Sequence, residues 1–199
     1  MPRPKQRTPA LRDHVLRVAV ATLASDGVAG FTTRKVAQEA ATSPPAVYEL
    51  FGDKAGLVRE MFFEGFRMLR RRFDQLVETA DARADLVRVI EALRAFIRDN
   101  PVLSELMFSR PFADFDPGPS GLEAGSAVRT FVVGRIRRCI DAGQLTGDET
   151  DIAHVLVSLT QGLAATEMAG WLGTSKASVA RRWDVAIHAV LDGLRPTKR

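Results

Sequence analysis

The segment from Thr32 to Leu57 constrains this chain most, because it contains two short helical patterns separated by a turn of about four residues. Thr32 can cap the first helix, and Ser43 can cap the second, which begins with Pro44, a residue that the first turn of a helix tolerates. Helical spacing places on the core side the apolar residues Val36, Ala37, Ala40, Val47 and Phe51. Two short helices joined in this way predict a helix-turn-helix.

The residues of this segment also carry a family pattern. The chain resembles the tetracycline-repressor-type (TetR) family of transcriptional regulators, whose signature runs T-x-x-x-(I/V)-A, a turn with serine, and then Y-x-x-F-x-x-K-x-x-L. The matching residues are Thr32, Val36, Ala37, Ser43, Tyr48, Phe51, Lys54 and Leu57. An amphipathic helix over residues 10–26, ending at Asp26-Gly27, precedes them. The resemblance implies an all-α fold with a DNA-binding domain at the N-terminus.

Two positions depart from the family pattern. Ala41 stands where relatives usually have a glycine that adopts the left-handed backbone of the turn, and alanine there should cost about 1 kcal/mol. Glu49 and Leu50 stand where relatives commonly have aromatic, histidine or basic residues facing the DNA. The second departure leaves the operator sequence open, and it does not affect the predicted fold.

The candidate DNA contacts divide into groups that hold phosphates and groups that reach base edges. Lys54 matches the family's phosphate-binding lysine, and the hydroxyl of Tyr48 is similar in role. Arg34 matches an arginine that reads guanine in close relatives, through O6 and N7 together. Glu49 either accepts from a cytosine amino group or is a solvated surface residue. The remaining predicted contacts, through hydroxyl groups, backbone N–H groups or apolar contact with thymine methyls, are Thr32, Thr33, Ser43, Pro44, Pro45 and Ala46.

The positive charge of the chain is concentrated in its first residues. The net charge is +4, and residues 1–12 contain four basic side chains and no acid, so the 24 basic and 24 acidic groups after them balance. The basic arm includes Arg3, Lys5 and Arg7 and is punctuated by prolines. Such an arm is suited to phosphate contacts or to the neighbouring minor groove, and a disordered solubilising terminus is the alternative.

The rest of the chain is helical in pattern, with about nine helices in all and no strand. We assign residues 1–56 to the arm and the helix-turn-helix, and residues 57–199 to a helical effector-binding and dimerisation domain. A proline-rich and glycine-rich loop is predicted over residues 110–121. The predicted helices after the motif cover Lys54 to about Thr79, Ala82–Asp99, a short helix opened by Pro101, residues 122–142, residues 147–172 after a capping box at Thr146, and residues 175–194 after Ser175.

The last two helices carry apolar stripes that are longer than one small domain needs. The resemblance implies that these helices pair with their copies in a four-helix bundle, and about half of the stripe residues can instead face the chain's own core. The predicted interface residues are Ile152, Leu156, Leu159, Leu163, Val179, Trp183, Ile187, Val190, Leu191 and Leu194. A dimer would read a palindrome with half-sites about 34 Å apart. A tetramer is not excluded.

The middle of the chain is rich in aromatic residues. Eleven phenylalanines against one tyrosine favour an apolar effector, and a fully packed core without a cavity is the alternative. Gln161 is either a polar contact for the ligand or a buried glutamine bonded to its own backbone, and Thr160, Glu167 and Trp171 are placed behind it. The predicted effector contacts are Phe66, Leu69, Phe73, Phe96, Met107, Phe108, Phe112, Phe115, Phe131, Gln161 and Trp171.

The sequence argues against an enzyme. His14, His154 and His188 are scattered, and no glycine-rich phosphate loop or metal-ligand spacing occurs, so we expect no cofactor and no metal. The single Cys139 fits a reducing compartment, and no apolar run is long enough for a membrane helix, which predicts a cytoplasmic protein without a membrane partner.

We therefore predict a sequence-specific regulator that binds double-stranded DNA as a homodimer. We predict repression, which is the family's commoner habit, with release by an apolar small molecule. In the expected mechanism, the effector shifts the long helix from Lys54 and changes the spacing of the recognition helices, so effector and DNA bind antagonistically. The alternative is a ligand-independent architectural protein or a constitutive or activating regulator.

Overall fold

The structure is a computed structural model that describes residues 8–109, 112 and 115–196. These residues form nine α-helices and no strand, which confirms the predicted all-α class. The helices are α1 (Pro9–Gly30), α2 (Thr33–Glu39), α3 (Pro44–Phe51), α4 (Lys54–Asp74), α5 (Ala82–Asp99), α6 (Pro101–Phe108), α7 (Pro119–Asp141), α8 (Glu149–Met168) and α9 (Lys176–Gly193). None of these nine is both long enough and apolar enough to cross a membrane.

The chain divides into two compact units. The first contains Met1–Arg67 and Asn100–Ala124, and the second contains Met68–Asp99 and Gly125–Arg199. Helix α4 begins in the first unit and ends in the second. Helix α6 belongs to the first unit although α5 separates it from that unit in sequence. The predicted domain boundary after residue 56 stays a prediction.

Helix α6 packs closely within the first unit, where it contacts α1. It also approaches α4 at Gly65, where an added Cβ would lie 2.4 Å from the sulfur of Met107 and 3.4 Å from Leu103. A Cβ at this position would require the flexible Met107 side chain to move, so α6 lies close to α4 at Gly65. The first unit is therefore more than a helix-turn-helix.

Side-chain caps start the first four helices. In each case an oxygen atom accepts a backbone N–H three residues further on, which satisfies one of the unpaired donors of a helix start. The pairs are Thr8 with Leu11 (3.3 Å), Thr32 with Lys35 (3.2 Å), Ser43 with Ala46 (3.4 Å) and Asp53 with Gly56 (2.7 Å). The starts predicted at Thr32 and Ser43 are confirmed, and the α4 helix predicted from Lys54 begins after the Asp53 cap.

The turn between α2 and α3 requires a left-handed residue. Ala41 has φ 50, and among the described residues it is the one non-glycine residue with a positive φ. The turn is closed by hydrogen bonds from the Ala41 N–H to the Gln38 carbonyl (3.1 Å) and from the Thr42 N–H to the Ala37 carbonyl (2.9 Å). The left-handed backbone expected at Ala41 is confirmed, and the neighbouring Ala37 and Ala40 are buried.

The second unit is built on α5, which contacts α8, and on α8, which contacts α9. Glu167 of α8 joins these helices through polar bonds. Its carboxylate accepts from Arg94 Nε (2.9 Å) and Nη2 (2.8 Å) of α5, and from the indole N–H of Trp183 (2.7 Å) of α9. The Arg94 guanidinium also lies over the Trp183 ring at 4.5 Å from its centroid. Glu167 therefore serves the fold, which leaves its carboxylate less available to a ligand than expected.

Helix α4 ends at Asp74, five residues before the predicted end at Thr79. Beyond it, the N–H and hydroxyl of Thr79 donate to the buried carboxylate of Asp85, over 2.8 Å and 2.6 Å. Arg135 and Arg138 of α7 bind the carbonyl groups of Leu76 and Thr79, each over 2.8 Å. These bonds hold the segment in an extended path, so the helix cannot continue.

Asp85 is the centre of this network, with 2% of its surface exposed. Its carboxylate also accepts from Arg88 and from Arg138 (2.8 Å). Burial by itself raises the pKa of a carboxyl group, but the hydrogen bonds from Thr79 and Arg138 and the charge of Arg88 outweigh burial and lower the pKa of Asp85 from its ordinary value of 3.8.

Other helix boundaries differ from prediction by a few residues. Helix α1 continues to Gly30 across a non-helical Gly27 with φ 67, and α7 begins at Pro119 rather than at residue 122. Helix α8 covers Glu149–Met168 rather than residues 147–172. Its cap is Asp148, whose side chain accepts from the N–H groups of Thr150 and Asp151 over 2.8 Å and 3.0 Å. The capping box predicted at Thr146 is wrong, because the aspartate is closer to the helix start.

Candidate nucleic-acid interface

One face of α3 is open to solvent. Pro45, Tyr48 and Glu49 are exposed, whereas Val47 and Phe51 on the opposite face are buried. The exposed positions follow a spacing of three and four, so they form a single strip along the helix. Pro44 and Ala46 lie half-buried beside this strip. The strip matches the side of a recognition helix that enters a DNA groove.

A hydrogen bond between hydroxyl groups joins α2 to α3. The Thr33 and Tyr48 oxygens are 2.9 Å apart, and Thr33 is 8% exposed whereas Tyr48 is 43% exposed. In such a pair one hydroxyl donates to the other, and the second keeps its own proton. When Thr33 donates, the exposed Tyr48 hydroxyl is left to donate to a phosphate, and Thr33 positions it.

The two capping hydroxyls retain a donor. Thr32 is exposed and Ser43 is half-buried, and each oxygen accepts a backbone N–H at the start of its helix. A hydroxyl group has one proton as well as two lone pairs, so acceptance in the cap leaves the O–H free to donate. Both caps can thus contact phosphate without loss of their structural role.

Arg34 and Lys35 are neighbours with different surroundings. Lys35 forms ion pairs with Asp26 (2.5 Å) and Glu39 (3.8 Å), and Asp26 raises the pKa of Lys35 while Lys35 lowers the pKa of Asp26. Arg34 is exposed and has no ion pair with any described residue. The guanidinium of Arg34 is therefore available for a base edge, whereas the charge of Lys35 is partly used within the protein.

Lys54 is exposed at the first position of α4. Its ammonium lies 5.8 Å from the ring centroid of Phe31 and 5.7 Å from that of Phe112. These rings contact each other edge to face, with centroids 6.2 Å apart. Lys54, the predicted phosphate contact, therefore lies beside two aromatic rings. One of these rings, Phe112, is also a predicted effector contact. The predicted arm contacts Arg3, Lys5 and Arg7 lie outside the described residues.

The remaining predicted effector contacts fall in both units. In the first unit, Phe66 lies between Phe62 (5.0 Å) and Phe108 (6.2 Å), and Phe115 contacts Phe62 at 5.4 Å. Met107 in the same unit is buried against Gly65. In the second unit, Leu69, Phe73 and Phe96 are buried, Phe131 stacks on Phe73 at 5.2 Å, Gln161 is half-buried and Trp171 is 85% exposed.

A small apolar cavity lies among α5, α7 and α8 of the second unit. Its volume is about 10 Å³, at the lower limit for a single water molecule. Thr160 is the polar residue of its wall, and its hydroxyl donates to the Leu156 carbonyl over 2.7 Å. The wall consists of Leu86, Val89, Ile90, Leu93, Val132, Leu156, Val157 and Thr160. Sequence analysis missed most of these residues, because an apolar stripe around a cavity has the same pattern as one in a packed core.

The predicted interface residues of α8 and α9 divide into two groups. Five are buried within the single chain and offer almost no surface to a partner, namely Ile152, Leu156, Trp183, Ile187 and Leu191. The other five are half-buried, namely Leu159, Leu163, Val179, Val190 and Leu194. Larger apolar surface is exposed at Val155 (50%) and Val185 (61%), which the sequence analysis did not select.

Two family patterns match the chain. The pattern of the bacterial regulatory proteins of the tetR family matches residues 15–61, and that of the tetracyclin repressor-like C-terminal domain matches residues 86–190. The second match alone covers more than half of the chain. The chain belongs to the TetR family of transcriptional regulators, with a DNA-binding domain at its N-terminus, and regulators of this family are generally not enzymes.

Solved structures share this fold over nearly the whole chain. A protein of unknown function from Rhodococcus sp. RHA1 is 28% identical with a TM-score of 0.82, and the match covers 98% of this chain and 100% of that one. A bacterial regulatory protein of the tetR family from Rhodococcus RHA1 is 16% identical, with a TM-score of 0.70 and coverage of 96% and 100%. The transcriptional regulator FadR from Bacillus subtilis, in complex with stearoyl-CoA, is 16% identical, with a TM-score of 0.73 and coverage of 92% and 99%. No curated protein matches the chain.

Proposed function

We propose that this regulator binds a palindromic operator as a homodimer, represses transcription, and is released by an apolar small molecule. The observation that carries the proposal is the exposed strip of α3, together with the exposed Lys54 and with Arg34, which forms no ion pair with any described residue. This surface combines a helix face for the groove with cations for bases and phosphates. A regulator of chromosomal DNA works in the cytoplasm, which is where we place this protein.

The predicted contacts have distinct roles on this surface. Arg34 reads guanine, Glu49 accepts from a cytosine amino group, and Pro45 contacts thymine methyls together with Pro44 and Ala46. Lys54, the Tyr48 hydroxyl, and the hydroxyls of Thr32 and Ser43 hold phosphates. Thr33 acts on the DNA through Tyr48. The basic arm adds contacts to phosphates or to the minor groove.

Selection of random duplex DNA by the purified chain at about 0.15 M salt tests DNA reading. We expect an enriched palindrome. Lys54→Ala should then weaken binding to every duplex alike, whereas Arg34→Ala should lose discrimination at one base pair of each half-site, worth about 1 to 3 kcal/mol. A uniform loss with Arg34→Ala would contradict the base-reading role. Salt-sensitive binding to all duplexes without enrichment would instead favour an architectural protein.

For the dimer, we propose an interface of α8 and α9 that includes the exposed Val155 and Val185. Val185→Asp places a charge on a surface residue, so we expect a folded monomer that no longer binds a palindrome. Trp183→Asp is the matched buried change, and it should unfold the second unit because Trp183 is 2% exposed. Sedimentation separates these outcomes, and a dimer that survives Val185→Asp would place the interface elsewhere.

For the effector, we propose a ligand with a large apolar part that expands the cavity lined by Thr160 and contacts the predicted aromatic residues of the second unit, Phe73, Phe96 and Phe131. Two observations support an apolar ligand. The cavity wall is almost entirely apolar, and FadR, which has a similar fold, is in complex with stearoyl-CoA. A long-chain fatty acid and stearoyl-CoA are therefore the first probes. The operator Kd should rise in their presence, and an unchanged Kd across apolar compounds would favour a constitutive regulator.

A further inference from the structure

The two rings beside Lys54, Phe31 and Phe112, come from segments that are far apart in the sequence. Phe31 follows α1 and is 1% exposed, so its position is set by the core of the first unit. Phe112 follows α6 and is half-buried. The Lys54 ammonium lies within 6 Å of both ring centroids, which is the range of a cation–π interaction. Phe112 lies outside residues 15–61, which match the DNA-binding pattern of the family.

Phe112 is anchored on the helix that carries Lys54. The Phe115 N–H donates to the Phe112 carbonyl over 3.1 Å. The Phe115 ring contacts Phe62 of α4 at 5.4 Å, and Arg59 of α4 donates to the Asp116 carbonyl over 3.3 Å and 3.4 Å. Phe115, which bonds Phe112, and the next residue, Asp116, are therefore both held by α4.

We propose that Phe112 is a positioning residue for DNA binding, which acts by holding the Lys54 ammonium in place for a phosphate. This inference rests on the proposed role of Lys54. Phe112 belongs to the segment after α6, outside the helix-turn-helix, so DNA affinity depends on a part of the chain remote in sequence from the recognition helix.

A ring is a suitable support for a phosphate-binding lysine. Lysine has a long flexible stem and loses rotamer entropy when it binds. A carboxylate could hold the ammonium, as Asp26 holds Lys35, but its negative charge would oppose the phosphate. The rings of Phe31 and Phe112 attract the cation without a net charge of their own. Lys54 therefore remains exposed and fully charged while its position is restricted.

The first test is a double-mutant cycle on the selected palindromic duplex. Phe112→Leu should weaken binding about twofold to fivefold for each Lys54, and about 4- to 25-fold for a dimer with two. Lys54→Met keeps the stem and removes the charge, so Phe112→Leu should change binding by less than about twofold in that background. Equal losses in the two backgrounds would overturn the proposal, because Phe112 would then act through another group.

Two variants separate positioning from general packing. Phe112→Tyr retains the ring and should restore the affinity that Phe112→Leu loses. Phe63→Leu removes another half-buried ring of the first unit, which contacts Phe62 at 5.8 Å, and should leave affinity unchanged. Failure of Phe112→Tyr to restore binding, or an equal loss with Phe63→Leu, would assign Phe112 to packing only.

A measurement without DNA keeps the inference independent of the proposed function. Protons above an aromatic ring are shifted upfield, so the ε-methylene signal of Lys54 should lie upfield of that of the exposed Lys176 on α9. Phe112→Leu should reduce the difference, and a native protein with no upfield shift would overturn the contact. If the native chain binds no duplex but the shift is present, the proposed function fails while the Lys54–Phe112 contact stands.

Discussion

The first and second units differ in the charge that they bury, because the buried charged side chains among the described residues, Asp85 and Arg135, both lie in the second unit. In the first, helix starts are set by side chains three residues away, as with Ser43 and Ala46. In the second, the Asp85 carboxylate binds Arg138, which is 53 residues away, and Glu167 binds Arg94, which is 73 residues away. A helix cap contributes little stability, but it can be predicted from the sequence. A buried charge network contributes more, but its partners are known only from the folded structure.

The magnitudes of the two kinds of interaction also differ. A helix cap contributes about 1 kcal/mol, because it satisfies a donor that water can otherwise reach. Removal of one partner from a buried charge network costs about 3 to 5 kcal/mol, because the remaining charge stays buried without compensation. The second unit should therefore be more sensitive to a single polar substitution than the first.

The largest effect should come from Asp85→Asn. Arg135, which is 5% exposed, and Arg138 would lose their buried counter-charge, so we expect the free energy of unfolding to fall by about 3 to 5 kcal/mol. Chemical denaturation of the two chains measures the difference. Asp184→Asn, on a side chain that is 69% exposed, is the matched control and should change little. If Asp85→Asn lowers the free energy of unfolding no more than the loss of a helix cap does, the second unit is not more sensitive to polar substitution than the first.

The difference in stability between the native chain and Asp85→Asn should depend on pH. The folded-state pKa of Asp85 is lowered below 3.8, so its stabilisation is present above about pH 4 and is lost as the pH falls toward the lowered value. The difference in stability between the native chain and Asp85→Asn should therefore shrink below about pH 4. Denaturation at several pH values checks this, and a constant difference would show that Asp85 does not act through its charge.

A smaller loss is expected for Glu167→Gln. The amide keeps one acceptor oxygen but loses the charge that pairs with both Arg94 nitrogens, which should lower the free energy of unfolding by about 1 to 2 kcal/mol. Glu91→Gln, on an exposed side chain of α5, is the control. The fluorescence of Trp183 should also change, because its indole N–H bonds Glu167. Equal stability of the two variants would mean that the Glu167 bonds contribute nothing net.

In the first unit, Ser43→Ala should cost about 1 kcal/mol, since the N–H of Ala46 loses its acceptor at the start of α3. Ser43→Thr retains the hydroxyl and should preserve most of the stability. Thermal unfolding is sensitive enough, because about 1 kcal/mol shifts the Tm of a chain of this size by about 2 to 4 °C. A loss as large as that of Asp85→Asn would show that local signals dominate in both units.

The smallest effect should be a gain. Ala41→Gly relieves a left-handed backbone at φ 50, so we expect stabilisation of about 0.5 to 1 kcal/mol. The same change at Ala180, within α9, should destabilise by a similar amount because glycine weakens a helix interior. If Ala41→Gly is neutral or destabilising, the entropy of glycine in the unfolded chain outweighs the relief of strain.

Much of the fold was predictable where the cause is local. The starts of α2, α3 and α4 depend on Thr32, Ser43 and Asp53, and each side chain reaches a donor three residues away. The end of α4 was not predictable. The helical pattern continues to Thr79, but the bonds from Thr79 to Asp85 end the helix earlier, and they depend on how α5 and α7 pack.

The candidate site shows the same division. Helical spacing in the sequence predicts which residues share a face of α3, and it places Arg34 and Lys35 on different sides of α2. Sequence could not show that Lys35 is paired with Asp26 while Arg34 is unpaired among the described residues. Nor could it separate Trp183, which packs in the chain's own core, from the exposed Val185, because both are apolar residues on one helix.

The helix-turn-helix, its caps and the left-handed turn at Ala41 could be predicted from residue types, because they depend on backbone preferences and on contacts a few residues long. The folded chain was needed to show which charges are paired, which apolar side chains remain exposed, and that Phe112 lies against Lys54. Those outcomes depend on contacts between residues distant in the chain, and the pattern of residue types does not record which distant segments meet.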